Sequence, residues 1–298
     1  MPRTVTVGLD GSPESLAAAE WAAREAALRE LPLHLVHAWD WQPYAEPVSD
    51  DETRRHWADR VLGDATERLG RHHPHLEITS EQVRDAPTTA LPAAAAEAEP
   101  LVIGSRGLSG VVGYFVGSVA LSVVGQVARP VVLVRSGARA EDEHQPNPEG
   151  RPSITTPYRD VVLGLDHEHP DDTLIEFAFE AAARRATALR VVHGWSLPPY
   201  FAYGLSADPA LGSELAQQEK SAVDEALAPW LKKFPGVEVV EQTAIGNAGD
   251  HLVDAARDAS LIVVGRHIRR TPLGARIGPV THTVLHHAEA PVAVIPHE

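Results

Sequence analysis

The sequence predicts an α/β protein built from two tandem open parallel sheets of five strands each, with helices on both faces of each sheet. Short apolar runs alternate with helical segments along most of the 298 residues. This alternation is typical of parallel sheets whose strands are joined by crossover helices. The same order of segments occurs twice, which predicts two domains.

The second observation is an internal repeat with two constant offsets. Two pairs of segments lie 156 positions apart and two further pairs lie 161 positions apart, so the second copy gained five residues between its second and fourth strands. Two offsets, each supported twice, indicate a duplication. The four pairs are Val5–Asp10 with Val161–Asp166, Leu35–Trp39 with Val191–Trp195, Leu101–Gly104 with Ile262–Gly265, and Pro130–Val134 with Pro291–Ile295.

The individual elements follow from local patterns. A first helix is predicted after Ser12, which suits the N-cap, with Pro13 at the first helical position. The short apolar runs are typical of strands buried on both faces. In the first copy these runs are Val5–Leu9, Leu33–Ala38, Leu76–Val83, Leu101–Ile103 and Val131–Val134.

The pattern divides the chain into a first domain at 1–136, a linker at 137–157 and a second domain at 158–298. The linker is rich in proline and polar residues and has no hydrophobic period. This composition favours an exposed tether.

Composition excludes several functional classes. The net charge of −15 argues against nucleic acid and anionic membranes as partners. The absence of cysteine excludes disulfides and cysteine-based metal sites. The strand-like N-terminus leaves no room for a signal peptide, and the longest apolar stretch, Val111–Val124, is too short and glycine-rich to cross a bilayer. We therefore expect a cytoplasmic protein.

The ends of two strands mark the expected ligand site. In an open parallel sheet, ligands bind beyond the carboxyl ends of the strands, where the winding direction reverses. If the chain winds outward through the first three strands and then returns, the first and fourth strands are neighbours. These strands end in Gly8-Leu9-Asp10-Gly11-Ser12 and Gly104-Ser105-Arg106-Gly107. The most glycine-rich strand ends thus fall where a ligand is expected.

A glycine-rich loop at 104–118 follows the fourth strand and leads into a helix predicted to end at about Ala128. Glycines let the backbone come close to a ligand, so that successive N–H groups can point at one anion. Ser118 is predicted to cap the helix, whose N-terminus favours negative charge. A phosphate chain suits this loop better than a neutral ligand. The composition alone is equally consistent with a turn required only for tight helix–sheet packing.

This loop resembles the nucleotide motif G-x2-G-x9-G-[S/T] of the universal stress protein family. Gly104, Gly107 and the pair Gly117-Ser118 match every fixed position, and Asp10 corresponds to the family's aspartate after the first strand. The resemblance covers nearly the whole chain except the linker, the second helix and its flanking loops. It implies a Rossmann-like fold that binds ATP or a related adenine nucleotide, alone or with Mg²⁺. It also implies an internal pseudo-dimer that pairs again as a homodimer.

The resemblance further implies which residues bind the nucleotide. Asp10 and the backbone near Ala38 would face the adenosine, and the loop after the fourth strand would hold the phosphates. Two alternatives stay open, since Arg106 is either a phosphate ligand or simply solvated, and Asp10 could serve only to cap the first helix. The implied set is Gly8, Asp10, Ala38, Gly104, Ser105, Arg106, Gly107, Gly110, Gly117, Ser118 and Val119.

The second copy departs from the motif. Ile268 replaces the second glycine and would obstruct the backbone approach, and Pro279, which lacks an N–H, replaces the serine. The arginines between 266 and 276 either hold an anion or face the other half or a second subunit. We expect this pocket to be weak or empty, with one nucleotide bound per chain. Its candidate residues are Gly164, Asp166, Gly265, Arg266 and Gly278.

The 16 histidines raise the question of a metal site. His282 and His286 lie one helical turn apart, and His167 and His169 alternate. Neither pair forms the H-E-x-x-H motif of zinc proteases, and no cysteine can complete a ligand set. The sequence therefore predicts no metal site.

Three function classes remain. They are a nucleotide-dependent sensor or regulator of the stress response, a slow ATP hydrolase, and a dimerisation scaffold that binds no nucleotide. His37 and His193 occupy repeat-related strand ends, where hydrogen-bonded packing is favoured over a pocket role. A G-x4-G-K-[S/T] loop is absent, which argues against a P-loop ATPase. The intact loop of the first copy favours the sensor.

Overall fold

The computed structural model describes residues 3–39, 51–105, 116–196, 209–268 and 277–298. Within these ranges, strands and helices alternate twice in the predicted order. The strands are β1 Thr4–Leu9, β2 Leu33–Ala38, β3 Ile78–Val83, β4 Ala98–Ser105, β5 Val131–Arg135, β6 Asp160–Gly164, β7 Leu189–Trp195, β8 Val239–Ile245, β9 Ala259–His267 and β10 Val292–His297. The helices are α1 Pro13–Arg29, α2 Asp51–His72, α3 Pro87–Ala95, α4 Ser118–Gln126, α5 Asp172–Arg185, α6 Pro209–Lys233, α7 Ala248–Ala255 and α8 Pro279–His287.

The ten strands form one sheet in the order β3-β2-β1-β4-β5-β10-β9-β6-β7-β8. Each half contributes five parallel strands with β1 beside β4, or β6 beside β9, which confirms the predicted α/β architecture. The two parallel sheets are joined edge to edge, because β5 pairs antiparallel with β10, with Val132 opposite Ala293. Both edges are apolar, and their pairing removes two unpaired strand edges that would otherwise invite aggregation.

Helices cover both faces of this sheet, as predicted. One apolar core lies between the sheet and helices α1, α2, α5 and α6, with Trp21 and Phe179 among its fully buried side chains. A second core lies on the opposite face, beneath α3, α4, α7 and α8. Each core runs through both halves, so the halves share their buried layers. Within the described ranges, no helix combines the length and apolar character that a membrane span requires.

Buried charged residues also connect the halves. Glu25 on α1 accepts hydrogen bonds from Arg29 Nε and from Arg185 Nη2 on α5, both at 2.6 Å. Burial opposes ionisation of Glu25, but these two guanidinium groups outweigh it and lower its pKa to about 2. Arg24 pairs with Glu143, whose pKa is raised because burial dominates there. These pairs fix α1 against α5 and against the segment that follows β5.

Two further buried arginines, one in each half, reach the end of a helix in the other half. Arg135 on β5 donates to the carbonyl oxygens of Leu285, at 2.5 Å, and Ala288, at 3.1 Å, at the end of α8. Arg266 on β9 donates to the carbonyl oxygen of Val127 at 2.5 Å, just after α4. A cation suits the C-terminal end of a helix, where carbonyl groups lack helical partners.

The segment between the halves differs from the exposed tether that we expected. Glu143 and His144 are buried, at 4% and 8% exposure. His144 forms a bridge with Tyr158, and the Gln145 N–H donates to the Pro157 carbonyl at 2.9 Å. The expectation was wrong at this point because Arg24 supplies a buried partner for Glu143, which the linker composition could not reveal. The domain boundaries remain predictions.

Candidate functional site

A cavity of about 350 Å³ lies at the carboxyl ends of β1 and β4, the predicted position. The starts of α1, α3 and α4 all contribute to its wall, so three helix N-termini face the same space. N-terminal N–H groups and helix dipoles make such a space favourable for anions. Of the residues predicted to bind nucleotide, seven line it: Gly8, Asp10, Ala38, Gly104, Gly117, Ser118 and Val119.

Asp10 stands at the end of β1 and organises the turn into α1. Its Oδ1 accepts hydrogen bonds from the Ser12 backbone N–H at 2.9 Å and from the Ser12 hydroxyl at 2.5 Å. Ser12 is the N-cap of α1, as predicted, and accepts from the Ser15 N–H. Burial opposes ionisation of Asp10. The hydrogen bonds from Ser12 outweigh this effect and lower the pKa of Asp10. Asp10 therefore performs the capping role left open above and also presents an exposed carboxylate to the cavity.

The start of α4 differs from the prediction by one residue. Gly117, in an extended conformation, is the N-cap without a side-chain cap, and Ser118 is the first helical residue. Ser118 was thus wrongly predicted to be the cap. The Leu121 N–H donates to the Gly117 carbonyl at 3.1 Å. The N–H groups of the turn before Leu121 are directed out of the helix end. This is the arrangement that binds a phosphate oxygen.

Gly104 has a packing role that is visible in the structure. A Cβ at this position would lie 2.5 Å from the backbone carbon of Glu14 and 2.7 Å from the Ser15 nitrogen. Because both are backbone atoms, only glycine permits α1 to come this close to β4. The packing alternative is therefore correct for Gly104, and it holds together with its position in the cavity wall.

Gly8 and Ser105 also have structural surroundings of their own. A Cβ at Gly8 would lie 2.9 Å from a Leu91 methyl group, and the repeat-related Gly164 has the same relation to Leu252, at 2.8 Å. Ser105 is buried, is not among the described residues that line the cavity, and accepts a hydrogen bond from Arg135 at 3.3 Å. Its hydroxyl thus faces the interface between the halves. Three predicted residues, Arg106, Gly107 and Gly110, lie outside the described residues.

The second half contains a corresponding cavity of about 530 Å³. Gly164, Asp166, Gly265 and Gly278 line it as predicted, and Pro279 begins α8. Arg266 is not among its described lining residues, since its buried guanidinium binds the Val127 carbonyl. The alternative that this arginine faces the other half is therefore correct.

Ile268 does not obstruct this second cavity in the way we expected. It is 38% exposed and is not among the described residues that line the space. Its backbone N–H donates to the His297 carbonyl at 2.6 Å, which withdraws that N–H from any anion. Hydrogen bonding, and not side-chain bulk, therefore removes the Ile268 N–H from the possible phosphate donors.

Histidine and carboxylate groups meet in the second cavity. His167 Nε2 and His193 Nε2 lie 2.5 Å and 3.2 Å from the same oxygen, Oε2 of Glu219. These contacts lower the pKa of Glu219 against the opposing effect of its burial. Sequence analysis missed this group because Glu219 comes from α6, 52 residues after His167.

The described residues of the first half include no such group, although this half shares one histidine. His37 Nδ1 lies 2.7 Å from the Leu9 carbonyl, and His193 Nδ1 lies 3.0 Å from the Leu165 carbonyl. His37 is buried and hydrogen-bonded, in agreement with the favoured packing role. His193, by contrast, lines the second cavity.

Glu14 is a second acidic residue in the wall of the first cavity, together with Asp10. The sequence signal for Glu14 was weak, since a carboxylate in the first turn of a helix is common for dipole reasons alone.

Comparison with known proteins supplies the family. The model of the universal stress protein family matches residues 1–135 and 157–296. A universal stress protein of Mycobacterium tuberculosis is 33% identical over 301 residues, covering 97% of this chain and 96% of the relative. The crystal structure of a universal stress protein from Archaeoglobus fulgidus matches 99% of this chain and 98% of its own, with a TM-score of 0.68 and 15% identity. Another from Archaeoglobus fulgidus, in complex with dAMP, matches 44% of this chain, and 96% of its own, at 24% identity and a TM-score of 0.35. Because the family model matches both halves and the 33% identical relative spans 97% of the chain, we conclude that the chain belongs to the universal stress protein family.

Proposed function

We propose that the first half binds an adenine nucleotide, ATP in particular, and that the protein acts as a nucleotide-dependent sensor or regulator of the stress response. The observation that carries the proposal is the cavity between β1, β4 and α4, whose wall contains the described part of the glycine motif. Its volume of about 350 Å³ lies in the range typical of small-molecule pockets, roughly 300–1,000 Å³.

The phosphates bind at the start of α4 in this proposal. The amides of Ser118 and Val119 lie in the cavity wall, and the first turn of α4 carries no acidic residue. Backbone donors at a helix N-terminus bind phosphate through hydrogen bonds and the dipole together. Arg106, Gly107 and Gly110 complete the phosphate site in the proposal.

The adenosine binds at the ends of β1 and β2 in this proposal. Asp10 presents its carboxylate, which accepts hydrogen bonds from hydroxyl or amino groups, and Ala38 contributes backbone at the end of β2. The carboxylates of Asp10 and Glu14 would hold Mg²⁺, which prefers oxygen ligands and would supply positive charge near the phosphates. The metal would offset the repulsion between these carboxylates and the phosphate chain.

Two experiments test the proposal. Mass analysis of the nucleotide released from freshly purified protein identifies the natural ligand, and we expect an adenine nucleotide. Calorimetric titration of the nucleotide-free chain with ATP then gives the affinity and the number of sites, for which we expect one site of micromolar or tighter Kd. Protein that releases no nucleotide and shows no heat with ATP would leave the dimerisation scaffold as the better account.

The proposal includes the setting of the protein. We propose a cytoplasmic homodimer, tested by fractionation of cells and by light scattering. Because β5 and β10 pair inside the chain, a second chain must dock elsewhere, for example on the outer strands β3 or β8.

A further inference from the structure

We infer that His167, His193 and Glu219 bind a divalent transition-metal ion in the second cavity, with Zn²⁺ as the best match. The ligand atoms of these three side chains all lie within 4.8 Å of one another. Two histidines and one glutamate are a common ligand set for zinc that keeps a further position open. This inference is independent of nucleotide binding in the first half.

The hydrogen bond of His193 directs its metal-binding nitrogen toward the other two ligands. A backbone carbonyl can only accept, so the 3.0 Å contact with Leu165 places a proton on Nδ1 of His193. In the neutral ring, Nε2 then carries a lone pair, and this atom faces Glu219 Oε2 at 3.2 Å. Histidine ligands of metals are commonly held in this way by a carbonyl on the other nitrogen.

A cation between the groups would stabilise this arrangement. A lone pair on His193 Nε2 and a carboxylate oxygen repel each other unless a proton or a metal ion lies between them. The same oxygen also receives His167 Nε2 at 2.5 Å, so two imidazoles converge on one carboxylate atom. Around a tetrahedral Zn²⁺ with bonds of about 2.0–2.1 Å, neighbouring ligand atoms are roughly 3.3 Å apart. His193 and Glu219 already have this spacing, at 3.2 Å, whereas the 2.5 Å contact between His167 and Glu219 has to lengthen.

The surroundings suit a bound ion with an open position. The side chains of His167 and Glu219 are 14% and 25% exposed, so they are held by neighbours but remain accessible. His193 is buried, and all three residues line the cavity of about 530 Å³. A fourth ligand, either water or an anion, can therefore approach from the cavity.

Among the described residues, this ligand set is found in the second half and has no counterpart in the first. Position 167 corresponds to Gly11, which has a left-handed φ of +79° and lies against the Trp57 ring. Helices α2 and α6 end six residues before Ile78 and Val239, and this alignment places Ala58 at the position of Glu219. Of the three ligand positions, the two halves share only the histidine, His37 in the first half and His193 in the second. They differ at the positions of His167 and Glu219.

The test uses full-length, untagged protein that has been treated with EDTA and dialysed. Titration with Zn²⁺ in competition with a fluorescent chelator should give one tight ion per chain, and Co²⁺ should give the intense visible absorption of a tetrahedral site. Glu219→Ala and His167→Gly, which introduce the residues of the first half, should each weaken Zn²⁺ binding at least about a hundredfold, more than the loss caused by removing an outer partner. Glu219→Gln retains the shape of the side chain and serves if Glu219→Ala fails to fold.

The matched control is the double variant His282→Ala/His286→Ala, which removes another histidine pair, whose rings are 4.3 Å apart on α8. It should bind Zn²⁺ as the unmodified chain does, and ATP affinity should be unchanged in all variants. The assignment would be overturned if the Glu219 and His167 variants bound Zn²⁺ as tightly as the unmodified chain. It would also be overturned if only the double variant lost the ion. Absence of any ion bound more tightly than by scattered surface histidines would overturn it as well.

Discussion

Replacement of Gly117 by valine separates nucleotide binding from folding. Gly117 has φ −61° and ψ 155°, angles that valine adopts without strain. A Cβ at this position would meet nothing within 4 Å, so the new side chain has room. Because Gly117 lines the cavity at the start of α4, its isopropyl group would occupy the proposed phosphate position.

Gly117→Val should change the affinity for ATP much more than the stability of the fold. A hydrogen bond to a charged group contributes about 1.5–3 kcal/mol, so loss of one such bond to phosphate raises the Kd about tenfold to a hundredfold. Loss of two raises it beyond the range of an ordinary titration. Valine is a poorer N-cap than glycine by roughly 1 kcal/mol or less, which lowers the Tm by only a few degrees.

A matched control is available in the second half. Gly278 is the N-cap of α8, with φ −68° and ψ 161°, and a Cβ there also meets nothing within 4 Å. Gly278→Val should therefore cost the same stability and leave ATP affinity unchanged. Calorimetry with ATP and thermal unfolding of both variants provide the comparison. Unchanged affinity in Gly117→Val, or equal losses in both variants, would refute the proposed site.

Four further predictions concern other residues. Asp10→Ala should raise the Kd for ATP about tenfold to a hundredfold in calorimetry, since a charged acceptor is lost, and equal affinity would leave Asp10 with its capping role only. Arg266→Leu should lower the free energy of unfolding in urea by about 1–3 kcal/mol, because the Val127 carbonyl loses its donor, with ATP affinity unchanged; weakened ATP binding would return this arginine to an anion site. The lowered pKa of Glu25 stabilises the fold above its ordinary 4.5, and this contribution should be lost as the pH falls toward about 2. Glu143 acts in the opposite sense, since its raised pKa gives a contribution to stability that is lost as the pH rises. Arg185→Leu should flatten the acid decline in the free energy of unfolding, and an unchanged slope against pH would show that the pair of Arg185 with Glu25 does not cause this decline. ATP turnover should be far below the enzyme median of roughly 10 s⁻¹. The reason is that Asp10 and Glu14 are the only acidic residues among the described cavity lining and no lysine lies there. Phosphate release at that median rate by rigorously purified protein would favour the ATP hydrolase over the sensor.

Sequence patterns predicted the parallel architecture because the inner strands are buried on both faces and form apolar runs, whereas the outer strands β3 and β8 are largely exposed or half-buried. The patterns also predicted the adjacency of β1 and β4, which follows from the winding of the chain. They could not predict the β5–β10 pairing, which joins edges from distant segments. Glu219 was missed for the same reason, because nothing local connects a carboxylate on an exposed helix with histidines at strand ends.

Arg266 shows how the duplication itself misleads a comparison of the two copies. By the offset of 161 positions, Arg266 corresponds to Ser105 and Arg135 corresponds to Pro296. In the sheet, Ser105 is the register partner of Arg135, and Arg266 is the register partner of Pro296. Each half therefore has one arginine at the same level of the sheet, although on different strands.

The targets of these two arginines are nevertheless equivalent. Val127, bound by Arg266, and Ala288, bound by Arg135, are themselves related by the offset of 161. The interface thus preserves a guanidinium at the end of the last helix of each half, while the strand that supplies it has changed. Since α4 begins at the proposed phosphate site and ends at Arg266, displacement of this helix by a ligand would act directly on the contact between the halves.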